Sequence, residues 1–427
     1  MRADPLFIGL DVGTSGARAV VIDEMGATRS DGRASMAEFG TNPRDPLTWL
    51  AAVEGALGAA LTGIARSRVA AIAVDGTSGS LVPVNVKGEP LALARMYNEP
   101  CEDSALLAAI DAAAPAESAA RGPTSGLARA ALFLKLKPTK ILHQADWIAF
   151  QFSGRFMSDS NNALKTGYDP VALAWPAWIE RVGVDAAFLP DVVAPGVSVG
   201  SVTPAAVRAF SLPADVCVAA GTTDGCASFL ATGARTVGDG VTALGTSLTL
   251  KLLSNKPIFA PRYGVYSHRL LDMWLAGGAS NSGGAALLAH FSPDEIEVLT
   301  PLIDPETETG LDYYPLTARG ERFPIADPDF PPRMAPRPES REEFLQAILE
   351  GITGVEALGY RRLAELGAPA LASMRTVGGG ARNSAWTRIR ERKLGVPFIE
   401  PISSEAAYGA ALLAMRAWGG CNTERTA

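Results

Sequence analysis

Residues 7–18 read Phe-Ile-Gly-Leu-Asp-Val-Gly-Thr-Ser-Gly-Ala-Arg, an apolar run into Asp11 followed by a tight turn of Gly13, Thr14, Ser15 and Gly16. Alternating apolar residues resume at Ala19–Ile22, so the spacing predicts strand, turn, strand. Backbone N–H groups in a Gly-rich turn can cradle phosphate oxygens, and a carboxylate beside them can hold Mg²⁺. A single Gly-Thr-Ser turn is usually only a hairpin. Here the pattern recurs: Gly245-Thr246-Ser247, between Val241-Thr-Ala-Leu and Leu-Thr-Leu, matches Gly13-Thr14-Ser15. Two such hairpins predict two similar lobes facing one phosphate chain.

Three further loops carry groups of the same chemistry. The buried run Val69–Val74 ends in Asp75-Gly-Thr-Ser78-Gly79. Val216–Ala220 ends in Gly221-Thr-Thr-Asp224-Gly225, with a helix predicted over Cys226–Ala231. Asp224 can accept a proton from a hydroxyl nucleophile, or it can cap that helix. Asp11 can hold Mg²⁺ through water, or make an Asx contact in its hairpin. Ser78 is a candidate contact for a polyhydroxylated ligand, while Asp75 can bond within its own turn. The run Ser158-Asp-Ser-Asn-Asn162 is expected to be a solvated loop rather than a lid or ligand contact. Near the end, Gly378-Gly379-Gly380-Ala-Arg-Asn383 leaves backbone open to a nucleotide, or forms a flexible turn. Asn383 can hydrogen-bond adenine, and Trp386 either lines that pocket or belongs to the core.

The elements that position these groups are legible in outline. Helices are expected at Trp49–Leu57, 103–121, 140–153, 341–364 and Glu405–Trp418, where Gly409 permits close backbone approach. A hairpin is expected over 81–98 with Lys87-Gly88 at its turn. Strands are expected at Met374–Val377 and Val396–Ile399. The Pro-rich stretch 323–338 reads as an irregular surface loop, with a lid as its other reading. At 427 residues and 48% hydrophobic, the chain is too long for one core and rich enough for two. The domains read as 1–233, 234–404 and a terminal helix 405–427 returning to the first.

Bulk properties exclude several classes. Net charge is −7 with no basic cluster, which argues against nucleic acid as a partner. Cys101, Cys217, Cys226 and Cys421 lack C-x-x-C spacing and read as reduced thiols of a cytoplasmic protein. Only His143, His268 and His290 exist, scattered, so a His-based triad or metal centre is not expected. Neither a secretory leader nor a membrane-spanning run is expected. The Gly-x-Gly-x-x-Gly of dinucleotide enzymes is missing after the first strand.

In this order, the five loops resemble the FGGY carbohydrate kinases, within the actin-like ATPases. The resemblance covers most of the chain and is most specific at Gly378–Asn383 combined with Glu405-Ala-Ala-Tyr-Gly-Ala. It implies an α/β fold of two ribonuclease H-like lobes, an ATP and sugar cleft between them that closes on binding, and ATP with Mg²⁺ as cofactors. It implies Asp224 as general base, with Asp11 and Asp224 near the metal. Thr14 and Ser15 would meet the γ-phosphate, and Gly245, Thr246 and Ser247 the β/γ-phosphates. Asp11, Asp75, Ser78 and Asp224 would face the sugar. The chain is short for the family, and Lys135-Leu-Lys-Pro-Thr-Lys stands where Lys-x-x-Trp is usual. The Asp75–Gly79 loop looks like that of the small D-ribulose kinases, with D-xylulose or a sugar alcohol as alternative substrates. An actin-like ATP-binding sensor is the reading without sugar chemistry.

Overall fold

The computed structural model describes residues 4–426, with side chains through Gly420, so the thiol of Cys421 lies outside the described residues. The chain forms two compact units: residues 1–231 with His268–Asp272 and 405–427, and residues 232–267 with 273–404.

Unit 1 is built on a sheet of order β3-β2-β1-β4-β10-β9. Its strands are β1 (Leu6–Val12), β2 (Gly16–Asp23), β3 (Thr28–Ser35), β4 (Val69–Gly76), β9 (Ser198–Ser201) and β10 (Cys217–Thr223). Two short pairs accompany it: β5 (Leu81–Val84) with β6 (Lys140–His143), and β7 (Met157–Asp159) with β8 (Asp191–Val193). β1 and β2 form the antiparallel hairpin that the first turn predicts, while β4 and β10 add in parallel. The parallel strands β1, β4 and β10 are buried along their whole lengths, so their apolar runs carry no alternation. Their ends all open at one edge, and that is where parallel sheets present ligand groups.

The segment His268–Asp272, holding β13 (His268–Leu270), groups with unit 1. In unit 2, β11 (Asp239–Leu244) and β12 (Leu248–Ser254) form the second hairpin. β14 (Met273–Ala279) pairs antiparallel with β12, and β15 (Ser373–Val377) pairs parallel with β11. The order β14-β12-β11-β15 thus repeats β3-β2-β1-β4, with the same strand senses. The internal repeat read from the two turns is a repeat of topology.

Several expectations are corrected. Residues 140–153 are not one helix: Lys140–His143 is β6, and the helix begins at Gln144. Ile141 and Leu142 satisfy both periods, and pairing with β5 decides for strand. The Ala-rich helix runs only over Ser104–Ala113, ahead of Pro115. Residues 396–399 join β15 through a single bridge at Phe398 rather than forming a strand. Residues 81–98 keep the turn at Lys87-Gly88, but the returning arm makes only isolated bridges.

The Ser158–Asn162 run is not solvated; every residue in it is buried. Asp159 caps the short helix Ser160–Ala163, accepting the N–H groups of Asn161 and Asn162 at 2.8 and 3.2 Å. Asp159 satisfies this turn from inside the fold, while Ser160 Oγ, Asn161 Oδ1 and Asn162 Oδ1 are buried without partners.

Candidate active site

Three aspartates stand at the ends of the three parallel strands of unit 1. Asp11 on β1 lies directly across from Asp75 on β4, and Asp75 lies across from Thr222 on β10. Residues paired in register point to the same face, so these side chains form a row. Asp224 follows two residues later as the first residue of the helix Asp224–Ala231.

Burial sets their charge states. Asp75 is fully buried. Desolvation, then the neighbouring Asp11 charge, pushes its carboxyl well above the usual range, and it shares a hydrogen bond with Asp11. Asp11 is also raised, first by burial, with the Asp75 hydrogen bond opposing and the Asp224 charge adding. Arg18, 3.7 Å from Asp11, draws it down. Asp224 is half-buried and its Oδ1 accepts the N–H of Gly225 at 2.6 Å. The cap of its helix comes from elsewhere: Thr223 Oγ1 accepts the N–H of Cys226 at 3.3 Å. The capping alternative therefore belongs to Thr223.

Beside this row, Gly13 is half-buried and Thr14 and Ser15 are exposed at the tip of the first hairpin. The tip is held by Gly13 N–H to Gly16 O and Met36 N–H to Ser15 O, both 3.0 Å. A cavity of about 280 Å³ opens there, lined by Asp11, Gly13, Ser15, Arg18 and Arg33 among others. Its lining sets the cationic Arg18 and Arg33 beside the acidic Asp11 and Glu38. Hard carboxylate oxygens at Asp11 and Asp224 suit Mg²⁺. Among the described residues no group of three His, Cys, Asp or Glu side chains is arranged to hold a metal ion alone. That donor set fits an ion carried on one or two carboxylates, water and phosphate oxygens.

Ser78 sits in the loop after β4, its hydroxyl buried and unpaired. The loop is pinned from two sides. Gln144 Oε1 accepts the Thr77 N–H at 3.0 Å, and the buried Arg129 Nε donates to Gly79 O at 3.1 Å. Sequence reasoning did not single out Gln144 or Thr222, and it named Asn161 only within a run for which a ligand contact was the lesser reading. Their one available signal was a polar residue next to an apolar run, and the Ser158–Asn162 run was read the other way.

In unit 2, Gly245, Thr246 and Ser247 form the tip of the β11–β12 hairpin, with Thr246 exposed. Gly284 and Ala285 donate N–H groups to Gly245 O and Thr246 O, which fixes that tip. Gly378, after β15, has φ 90° and ψ 175°, a region open to glycine alone. A Cβ there would lie 2.8 Å from Leu244 O. Asn383 caps the helix Ser384–Leu394: Oδ1 accepts the Trp386 N–H, and Nδ2 donates to Thr300 Oγ1. Both ends of its amide are engaged within the fold. Trp386 does not line an open pocket. It is buried, its indole donates to Thr353 at 3.1 Å, and its ring lies 2.6 Å from where a Gly380 Cβ would be. It is the core residue beneath the glycine run.

Two units of one topology, each with a strand-turn-strand hairpin followed by a parallel strand, make this an actin-like two-domain fold. Residues 240–418 match the C-terminal domain of the FGGY family of carbohydrate kinases. Xylulose kinase of Streptomyces coelicolor is 29% identical over 447 residues, 95% of this chain and 87% of that protein. Gluconokinase of Bacillus subtilis is 28% identical over 222 residues, 47% of this chain and 42% of its own length. The crystal structure of a xyloylose kinase from Brucella ovis superimposes with a TM-score of 0.84 at 23% identity, covering 97% of this chain and 91% of that one. The chain is thus similar over residues 240–418 to the FGGY carbohydrate kinases, and over 95% of its length to a xylulose kinase. No helix among the described residues is long and apolar enough to cross a membrane.

Proposed function

We propose that this kinase transfers the γ-phosphoryl group of ATP to the C5 hydroxyl of D-ribulose, giving D-ribulose 5-phosphate and ADP. The observation that carries the chemistry is the row of strand-end carboxylates with Asp224 half-buried at its end. Asp224 takes the proton of the attacking hydroxyl as its oxygen bonds to the γ-phosphorus. The bond from that phosphorus to the β–γ bridging oxygen breaks, and ADP leaves. Thr14, Ser15 and the backbone of the first hairpin receive the γ-phosphate; Gly245–Ser247 and Gly378–Gly380 receive the rest of the nucleotide. Asp11, with Asp224, would hold Mg²⁺, which neutralises phosphate charge when bound. The reaction is placed in the cytoplasm, where the buried thiols of Cys101, Cys217 and Cys226 stay reduced.

D-ribulose is supported by the compact Asp75–Gly79 loop, which offers a short buried hydroxyl at Ser78 and a buried carboxyl at Asp75 to a small ketose. D-xylulose is the second reading, favoured by the xylulose kinase that matches 95% of the chain. The two ketoses differ by one hydroxyl orientation at C3. The test is kcat/KM across D-ribulose, L-ribulose, D-xylulose, ribitol, glycerol and gluconate. D-ribulose should lead. A clear preference for D-xylulose replaces the substrate, and turnover of none removes the reading. In the same assay Asp11→Ala should shift the Mg²⁺ titration; an unchanged titration moves the metal away from Asp11.

A further inference from the structure

Asn161 is fully buried, and its amide is held in one orientation. Nδ2 donates to Thr222 Oγ1 and to the backbone oxygen of Arg269, each at 3.0 Å. A carbonyl oxygen only accepts, so the nitrogen must face Arg269 and Oδ1 must face away from it. Oδ1 meets no donor. Buried polar atoms in folded proteins nearly always have a partner, and an orphan of this kind asks for one.

Its surroundings say what that partner is. Thr222 lies in register with Asp75, which lies in register with Asp11, so Asn161 extends the row of strand-end groups by one place. Other members of this neighbourhood are unpaired as well. Asp75 meets only the carboxyl of Asp11, and the Ser78 hydroxyl lacks a partner. Gln144 spends Oε1 on the Thr77 N–H, which leaves Nε2 without an acceptor. Unpaired acceptors and donors thus stand together, buried, at one edge of the sheet. A ligand carrying several hydroxyls satisfies both kinds, because each hydroxyl donates once and accepts twice.

We propose that Asn161 is a specificity-determining residue whose Oδ1 accepts a hydrogen bond from a sugar hydroxyl other than the one phosphorylated. This rests on reading unit 1 as the sugar-binding unit. The carbonyl of Arg269, in the short excursion His268–Asp272, holds the amide in its reading orientation. Asn161 does not touch the transferred group, so its contact is made equally in ground and transition states. Its loss raises the sugar KM and leaves kcat and the ATP KM unmoved.

The experiment uses the full-length enzyme and two variants, Asn161→Ala and Asn161→Ser, each checked for a native melting profile. Sugar KM should rise on the order of 10–100-fold in both. The wild type is also assayed with ketoses lacking one hydroxyl in turn. One deoxy analogue should suffer a comparable loss with the wild type and no further loss with Asn161→Ala. A folded Ala variant with unchanged sugar KM overturns the proposal. So does a wild type indifferent to every deoxy analogue, a result that needs no variant. A merely structural role would instead lower kcat and raise the ATP KM together. If the wild type phosphorylates a sugar and Asn161 is silent, only this proposal fails; if it phosphorylates none, the ketose kinase reading falls with it.

Discussion

Asp11, Asp75 and Asp224 are one residue type in three environments, and burial separates their roles. Asp75 is fully buried, and desolvation holds its carboxyl well above the usual range; Asp224 is half-buried, and it is the one proposed to take the proton. Asp224→Ala should cut kcat by ~10²–10⁴-fold while nucleotide binding persists. A variant that retains wild-type kcat would remove Asp224 from the proton transfer. His143 makes a separate statement about pH. It is fully buried, and desolvation, then the charge of Arg129, lowers its pKa to about 3. Between that value and the unfolded value of about 6.5, the unfolded chain binds the extra proton. The stability contributed by neutral His143 is therefore complete above pH 6.5 and is lost as pH falls toward 3, at up to ~1.4 kcal/mol per pH unit. His143→Gln should flatten the acid side of a plot of Tm against pH between 6 and 4. Parallel curves for the two proteins would show that another group controls acid lability.

At the scale of elements, what was legible in the sequence follows from what sets each feature. Both hairpins, the strands ending at Asp75 and Asp224 and the helix Arg341–Glu365 are written in local period and turn chemistry, and they stand in the structure. The third strands of the two repeats, β3 and β14, went unread. Thr28–Ser35 is largely exposed and polar, and Gly277 and Gly278 interrupt the apolar pattern of β14. β6 was absorbed into a helix because only its long-range pairing with β5 separates the two. Site residues followed the same division. The candidates on glycine turns are written in local sequence, while the hydrogen bonds of Gln144, Thr222 and Asn161 reach partners 61 to 108 residues away. The glycine turn after β15 gives a test at this scale. Gly378→Ala puts a Cβ 2.8 Å from Leu244 O in a backbone region costing ~1–3 kcal/mol for other residues. Its ATP KM should rise and its Tm fall with sugar KM unmoved. Unchanged ATP kinetics would detach this turn from the nucleotide.

On the scale of the whole molecule, unit 1 is assembled from both ends of the chain. The helix Ala406–Thr426 packs across the sheet against β1 and β4 and along the helix that Asp224 begins. The approach is at backbone distance: a Cβ on Gly9 would lie 1.9 Å from Ala407 O, and one on Gly409 would lie 2.0 Å from Ala227 O. Trp418 meets Phe7 with ring centroids 5.7 Å apart, and Tyr408 donates to Gly26 O at 2.7 Å. The buried side chains of this helix include Ala407, Ala410, Ala411, Leu413 and Ala414, so removing it uncovers an apolar sheet face and unbacks the helix carrying Asp224. A chain ending at Ser404 should therefore lose activity through unit 1. Unit 2 has its own apolar core, from Leu244 through Ile389, and keeps it. In limited proteolysis the truncated chain should be cut within residues 4–231 while the 273–404 region stays protected. A synthetic peptide of residues 405–427 should restore part of the protection. Wild-type turnover and an unaltered digestion pattern in the truncated chain would show that the closing helix is dispensable to the catalytic unit.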